Sequence, residues 1–77
     1  MPQLTLYHKP ACPYCQKVIR FMDQNKIFLP LKDTLDNRNR EELIKIGGKP
    51  QVPCLVIDGK ALYESDDIVE WLKKNSK

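Results

Sequence analysis

Cys12 and Cys15, in the run Cys12-Pro13-Tyr14-Cys15, are the side chains of this sequence best suited to covalent chemistry. They follow a short apolar run and precede a helical pattern, which predicts a thiol pair on the first turn of a helix. Unpaired N–H groups and a partial positive charge at a helix N-terminus favour thiolate over thiol. The dipole is worth up to about 2 kcal/mol in a favourable site, and one pKa unit is about 1.4 kcal/mol. The dipole alone therefore lowers the pKa of Cys12 by roughly one unit, and direct N–H···S contacts add to that. A thiolate is the nucleophile in disulfide exchange. Cys15, one turn further on, is placed to attack a mixed disulfide on Cys12.

The pair also admits blander readings, as half of a zinc site or as two buried thiols. Structural zinc takes four ligands, usually from two paired clusters. Here Cys54 and His8 would have to supply the rest from distant strands. A Cys-x-x-Cys at a strand-to-helix junction within a β-α-β pattern is instead the redox arrangement.

The elements that must position the thiols follow from periodicity. Leu4 to His8 reads as a strand, and Lys9-Pro10-Ala11 as a connector. A helix begins near Pro13, since proline suits a first helical turn. Cys15, Val18, Ile19 and Met22 form its buried face, Lys17, Arg20 and Gln24 fall opposite, and Asn25-Lys26 ends it. Ile27 to Thr34 reads as a second strand, in which Pro30 is awkward because it cannot donate to a ladder. Asn39 and Glu42 resemble a capping box, with Asp36 and Asn37 as alternative caps. That second helix runs to about Ile46, with Leu43, Ile44 and Ile46 apolar, and stops at Gly47-Gly48. Cys54 to Ile57 and Lys60 to Tyr63 flank Asp58-Gly59, a hairpin signal. Ser65 caps a third helix, with Asp66 and Asp67 in its first turn, Ile68, Val69, Trp71 and Leu72 apolar, and Lys73, Lys74 and Lys77 towards its end. The order β-α-β-α-β-β-α predicts an α/β fold, with a right-handed parallel unit first and an antiparallel hairpin last.

Seventy-seven residues suffice for one small domain, 1–77, with little core to spare. The net charge of +3 is too mild to argue for nucleic acid, although a local basic patch can still hold a small anion. No apolar run approaches membrane-spanning length, so no membrane association is expected. Met1-Pro2-Gln3-Leu4 lacks the pattern of a signal peptide, which makes the cytoplasm the expected compartment. Three cysteines, an odd count, speak against a secreted disulfide framework.

With these features together, the sequence resembles a glutaredoxin over nearly its whole length. Cys12-Pro13-Tyr14-Cys15 matches the dithiol active-site motif of that family, with Lys9 three residues before Cys12. Val52-Pro53 stands where the family has a Val-Pro pair with a cis-proline. Ser65-Asp66-Asp67 opens the last helix, where the family holds glutathione. The resemblance implies a thioredoxin fold, with a four-stranded mixed sheet and three helices. It also implies glutathione as reducing co-substrate, protein disulfides or glutathionylated proteins as substrates, and no metal. A monomer is expected.

The resemblance implies residue roles as well. Cys12 and Cys15 are catalytic. A cis bond turns the Val52 backbone towards Cys12, where its N–H and C=O pair with the glutathione backbone as an extra strand would. Lys9 becomes a ligand for the glycine carboxylate of glutathione, and its charge favours the Cys12 thiolate. Arg40 stands where the family often has Arg or Gln for the same carboxylate; an exposed helix arginine is the equal alternative. Tyr14 packs beside the ligand. The free N–H groups at Ser65 and Asp66 meet the γ-glutamyl carboxylate, and an Asp side chain meets its ammonium. His8, Trp71 and Tyr7 read as structural.

Three departures from the family pattern stand out. Gln51 occupies a position where many glutaredoxins have Thr. Tyr63-Glu64 replaces a common Gly-Gly; Glu64-Ser65 is similar to the Glu-Ser pair by which the amino-terminal domain of glutathione transferases contacts the γ-glutamyl group, making Glu64 a candidate ligand beside Pro53 and Val52. Cys54 follows Pro53 directly and reads as a small buried hydrophobe, with a regulatory role as the alternative. Two rival functions keep the fold: a redoxin reduced by thioredoxin reductase, and an iron–sulfur carrier bridged by Cys12 and glutathione.

Overall fold

The computed structural model describes residues 3–75. Lys77, expected near the end of the last helix, and the first two residues lie outside that range. The elements are β1 (Leu4–His8), α1 (Pro13–Gln24), β2 (Leu31–Asp33), α2 (Asn37–Gly47), β3 (Cys54–Ile57), β4 (Lys60–Leu62) and α3 (Ser65–Asn75). The sheet order is β2-β1-β3-β4. β1 runs parallel to β2 and antiparallel to β3, and β3 runs antiparallel to β4. This is the thioredoxin fold, with the topology expected from the sequence.

Strand periodicity divides the core into two layers. Leu6 and Leu55 face one side, where Val18 and Met22 of α1 and Ile68 and Leu72 of α3 close over them. Their neighbours Tyr7, Cys54 and Val56 face the other side and meet Leu43 of α2. Alternate residues of β1 and β3 are thus buried on opposite faces, as a two-residue side-chain period requires. α2 is also tied to the sheet edge by polar contacts. The Tyr7 hydroxyl and the Lys32 ammonium both donate to Glu42 Oε1, at 3.1 and 2.7 Å. Tyr7 is therefore structural, as read from the sequence.

Several boundaries differ from expectation for local reasons. The second strand is three residues long, where Ile27 to Thr34 was expected. The Ile27 N–H turns back to the Met22 carbonyl at 2.8 Å, and Phe28 is 85 % exposed. Pro30 offers only its carbonyl, which accepts from the Leu6 N–H at 2.9 Å, so strand pairing starts after it. β4 stops at Leu62, which frees Tyr63 from the ladder. Asp36 caps α2, accepting from the Arg38 N–H at 2.9 Å. Asn39 instead donates to the Asp33 carbonyl at 3.0 Å, so the Asn39–Glu42 capping box does not form. Ile46 is 38 % exposed and stands outside the core. Gly48 ends α2 at φ 89°, its N–H returning to Ile44 at 2.7 Å. α3 opens one residue earlier than expected: the Glu64 carbonyl accepts from the Ile68 N–H at 2.8 Å, which makes Ser65 the first helical residue and Glu64 its cap.

Candidate active site

The chain leaves β1 at His8, turns through Lys9 to Ala11, and enters α1 at Pro13. The turn is closed by the Cys12 N–H on the Lys9 carbonyl at 3.1 Å. Cys12 takes the N-cap position in extended backbone, and its carbonyl accepts from the Gln16 N–H at 3.0 Å. Pro13 fits here because a first-turn residue needs no N–H partner. Cys12 is half-buried and Cys15 fully buried; neither is in a disulfide.

The two thiols are electrostatically distinct. As a neutral thiol Cys12 makes no capping hydrogen bond. Burial opposes its ionisation, but the thiolate is stabilised by the Cys15 backbone N–H, the Cys15 thiol, the Tyr14 backbone N–H and the Lys9 charge. These together hold Cys12 below an ordinary thiol. Burial pushes Cys15 the other way, to about 12, reinforced by the hydrogen bond and negative charge of Cys12 and offset in part by a backbone hydrogen bond at Lys9 and the Lys9 charge. Cys12 is therefore the thiol of the pair that gives up its proton first. Once Cys12 is tied up in a disulfide its charge is gone, and only burial still holds Cys15 protonated. Cys54 is fully buried on the α2 side of the sheet and raised by burial to about 11. It shapes neither active-site thiol, which leaves it the small buried hydrophobe expected.

Tyr14, between the two cysteines, lines a groove of about 250 Å³. Its walls are Tyr14, Gln51, Val52, Pro53, Tyr63, Glu64, Ser65 and Asp66. Six of these eight, all but Gln51 and Tyr63, are residues the sequence nominated for ligand binding. Val52-Pro53 is cis. Among the described residues no backbone partner takes the Val52 N–H or C=O. Tyr14 is 65 % exposed at one end. Lys9 adjoins Cys12 rather than lining the groove, and Arg40, exposed in the first turn of α2, does not line it either.

Two features escaped the sequence reading. Tyr63 lies across the end of α2 and donates to the Lys49 carbonyl at 2.9 Å. Gly47 makes that possible: a Cβ there would fall 1.8 Å from Tyr63 Oη. Asp66, one of the two aspartates at the start of α3, is ion-paired to Lys17 of α1. Among the described residues no three His, Cys, Asp or Glu side chains gather as a metal cluster. No helix of the described chain is long and apolar enough to cross a membrane.

Comparison with known proteins fits this arrangement. The model for the glutathione S-transferase N-terminal domain matches residues 6–77. Glutaredoxin 3 of Escherichia coli K12 is 30 % identical over 69 residues, covering 88 % of this chain and 83 % of that one. This chain is a glutaredoxin-like member of the glutathione S-transferase N-terminal domain family. Among solved structures, oxidized glutaredoxin 2 from Chlamydomonas reinhardtii matches this glutaredoxin-like chain with a TM-score of 0.68 and 27 % identity, over 97 % of this chain and 75 % of its own. Glutathione transferase Omega 3C from Trametes versicolor reaches a TM-score of 0.82 at 28 % identity over 94 % of this chain, which spans only 33 % of that transferase. The chain is accordingly a thiol–disulfide oxidoreductase of the thioredoxin fold.

Proposed function

We propose that this glutaredoxin-like chain uses glutathione to reduce protein disulfides and glutathione mixed disulfides in the cytoplasm, acting as a monomer. The observation that carries the reading is the groove that Tyr14 of the thiol motif shares with Val52, Pro53, Glu64, Ser65 and Asp66, all residues for which the sequence resemblance implies glutathione contact. Cys12 thiolate attacks one sulfur of the substrate disulfide. The substrate S–S bond breaks, a Cys12–substrate S–S bond forms, and the second substrate sulfur leaves as a thiolate that takes a proton. Two routes complete the turnover. In one, Cys15 loses its proton and attacks Cys12 Sγ, releasing the second thiol and forming a Cys12–Cys15 disulfide. Two glutathione molecules then reduce that disulfide and leave as oxidised glutathione. In the other, Cys12 carries a glutathionyl group, and a second glutathione thiolate removes it directly.

Free backbone groups support the placement of the ligand. The unpaired Val52 N–H and C=O suit an extended peptide added as a strand. The N–H groups at the start of α3, aimed away from the helix, suit the γ-glutamyl carboxylate. Lys9, and Arg40 if its side chain swings towards the turn, supply charge for the glycine carboxylate. The test is turnover of a glutathione mixed disulfide, coupled separately to glutathione reductase and to thioredoxin reductase. Glutathione-dependent turnover that is lost in Cys12→Ser is the expected result. Turnover supported by thioredoxin reductase alone, or retained in Cys12→Ser, overturns the proposal.

A further inference from the structure

Residues 49–53 join the end of α2 to β3, lie in no helix or strand, and supply Gln51, Val52 and Pro53 to the groove. The segment is fixed at both ends. The Gly48 N–H returns to the Ile44 carbonyl at 2.7 Å, and Cys54 pairs with Tyr7 of β1. Between those ends Pro50 and Pro53 have no N–H to donate, although their rings restrict φ. Among the described residues one hydrogen bond reaches the backbone of 49–53, from the Tyr63 hydroxyl to the Lys49 carbonyl at 2.9 Å. The Lys49 ammonium also lies 4.7 Å from the centre of the Tyr63 ring. From this geometry we infer that Tyr63 is a positioning residue: by gripping Lys49 it holds the segment so that the free N–H and C=O of Val52 stand ready for the ligand backbone. This inference rests on the glutathione reading proposed above.

An unpaired backbone edge binds an extended peptide well only where the edge is already held in the pairing conformation. Where a fraction of the molecules holds it so, the apparent dissociation constant rises by the inverse of that fraction. The fixed ends and the two proline rings leave backbone freedom chiefly at Lys49, Gln51 and Val52. Tyr63 restrains the first of these from two directions, through its carbonyl and through its side chain. Tyr63 is itself well held. It follows β4 directly, and its ring packs against the cluster of Tyr7, Leu43, Cys54 and Val56. The missing Cβ of Gly47 leaves the space its hydroxyl occupies. Tyr63 is thus the fixed post and the segment is the part that moves. A hydrogen bond of this kind is worth about two- to tenfold in an equilibrium constant, which is the ceiling on what its loss does to affinity.

The test uses Tyr63→Phe, which keeps the ring and its packing and removes only the hydroxyl. Two quantities are measured: the dissociation constant of unreactive S-methylglutathione, by isothermal or chemical-shift titration, and the backbone amide order parameters of the ligand-free protein. The dissociation constant is expected to rise about two- to fivefold. Order is expected to fall at Lys49, Gln51 and Val52 while α2 and β3 keep theirs. Ile57→Val is the control for stability alone, because it trims a side chain at the far end of β3, against the α1 and α3 layer. It is expected to change neither quantity. An unchanged affinity in Tyr63→Phe, a weaker affinity with no change of order at 49–52, or an equal loss of affinity in Ile57→Val overturns the inference while leaving the glutathione groove standing. Failure of S-methylglutathione to bind the original protein saturably refutes the groove reading itself and this inference with it.

Discussion

Replacing Gly47 by Ala tests how the groove wall is built. The new Cβ would lie 1.8 Å from Tyr63 Oη, 2.6 Å from Tyr63 Cζ and 2.9 Å from Ala61 Cβ. Tyr63 must swing away, because the Ala61 methyl sits on the sheet and yields little. Overpacking of this kind costs about 1–3 kcal/mol. The displaced ring also gives up its hydrogen bond to Lys49, worth about 1 kcal/mol. Against these stands a gain of up to about 1 kcal/mol from exchanging glycine for alanine in a helix, reduced here because Gly47 is the last residue of α2. The net expectation is a destabilisation of about 1–3 kcal/mol, read by urea unfolding as a lower midpoint at unchanged slope. Because Tyr63 lines the groove, affinity for S-methylglutathione should fall as well. The same substitution in a Tyr63→Ala background should cost little or be stabilising. An equal cost in both backgrounds would refute the role assigned to Tyr63.

Further outcomes follow from the thiols and caps. Alkylation of Cys12 by iodoacetamide should rise with pH through a midpoint below that of an ordinary thiol and fall off as pH drops through it. Lys9→Ala should move that midpoint up, because the Lys9 charge favours the thiolate; an unmoved midpoint contradicts that assignment. Cys54 is held to about 11 by burial, above the ordinary value of 9.0. Between those values the unfolded chain loses its Cys54 proton while the folded chain keeps it, so stability present below pH 9.0 is lost as pH rises towards about 11. The loss amounts to about 2–3 kcal/mol, and in Cys54→Ala, compared with itself at neutral pH, the alkaline decline should be shallower by that amount. Asp36→Ala removes the cap of α2 and should lower unfolding stability by about 1 kcal/mol, whereas Asn39→Ala should not reproduce a cap loss through Glu42. Cys15→Ser should keep reduction of glutathione mixed disulfides and lose most reduction of protein disulfides; equal loss of both contradicts the two routes.

Much of the fold was legible because its signals are local. The boundaries of β1 and β3 follow from short apolar runs, and the start of α1 from Pro13. The second strand is shorter than its composition suggests because Ile27 to Leu29 look strand-like, while the Ile27 N–H closes back on Met22 and pairing with β1 starts only after Pro30. Asn39 and Glu42 have the spacing of a capping box, but Asp36 reaches the free N–H first. The thiol pair and most of the groove could be read from motifs at Cys12, Val52-Pro53 and Ser65. What could not be read depends on distant partners. Lys17 is indistinguishable in sequence from any solvated helix lysine until α3 brings Asp66 to it. Gly47 reads as a helix stop, and only the packing of Tyr63 shows that its missing Cβ is needed.

The claim that Cys12 is the nucleophile that meets glutathione is tested most directly by trapping. Cys15→Ser treated with oxidised glutathione at neutral pH should acquire a single glutathionyl group on Cys12, located by mass spectrometry of its peptides, while Cys54 stays unmodified. Modification at Cys54 in place of Cys12, or no stable adduct at either, would contradict the account.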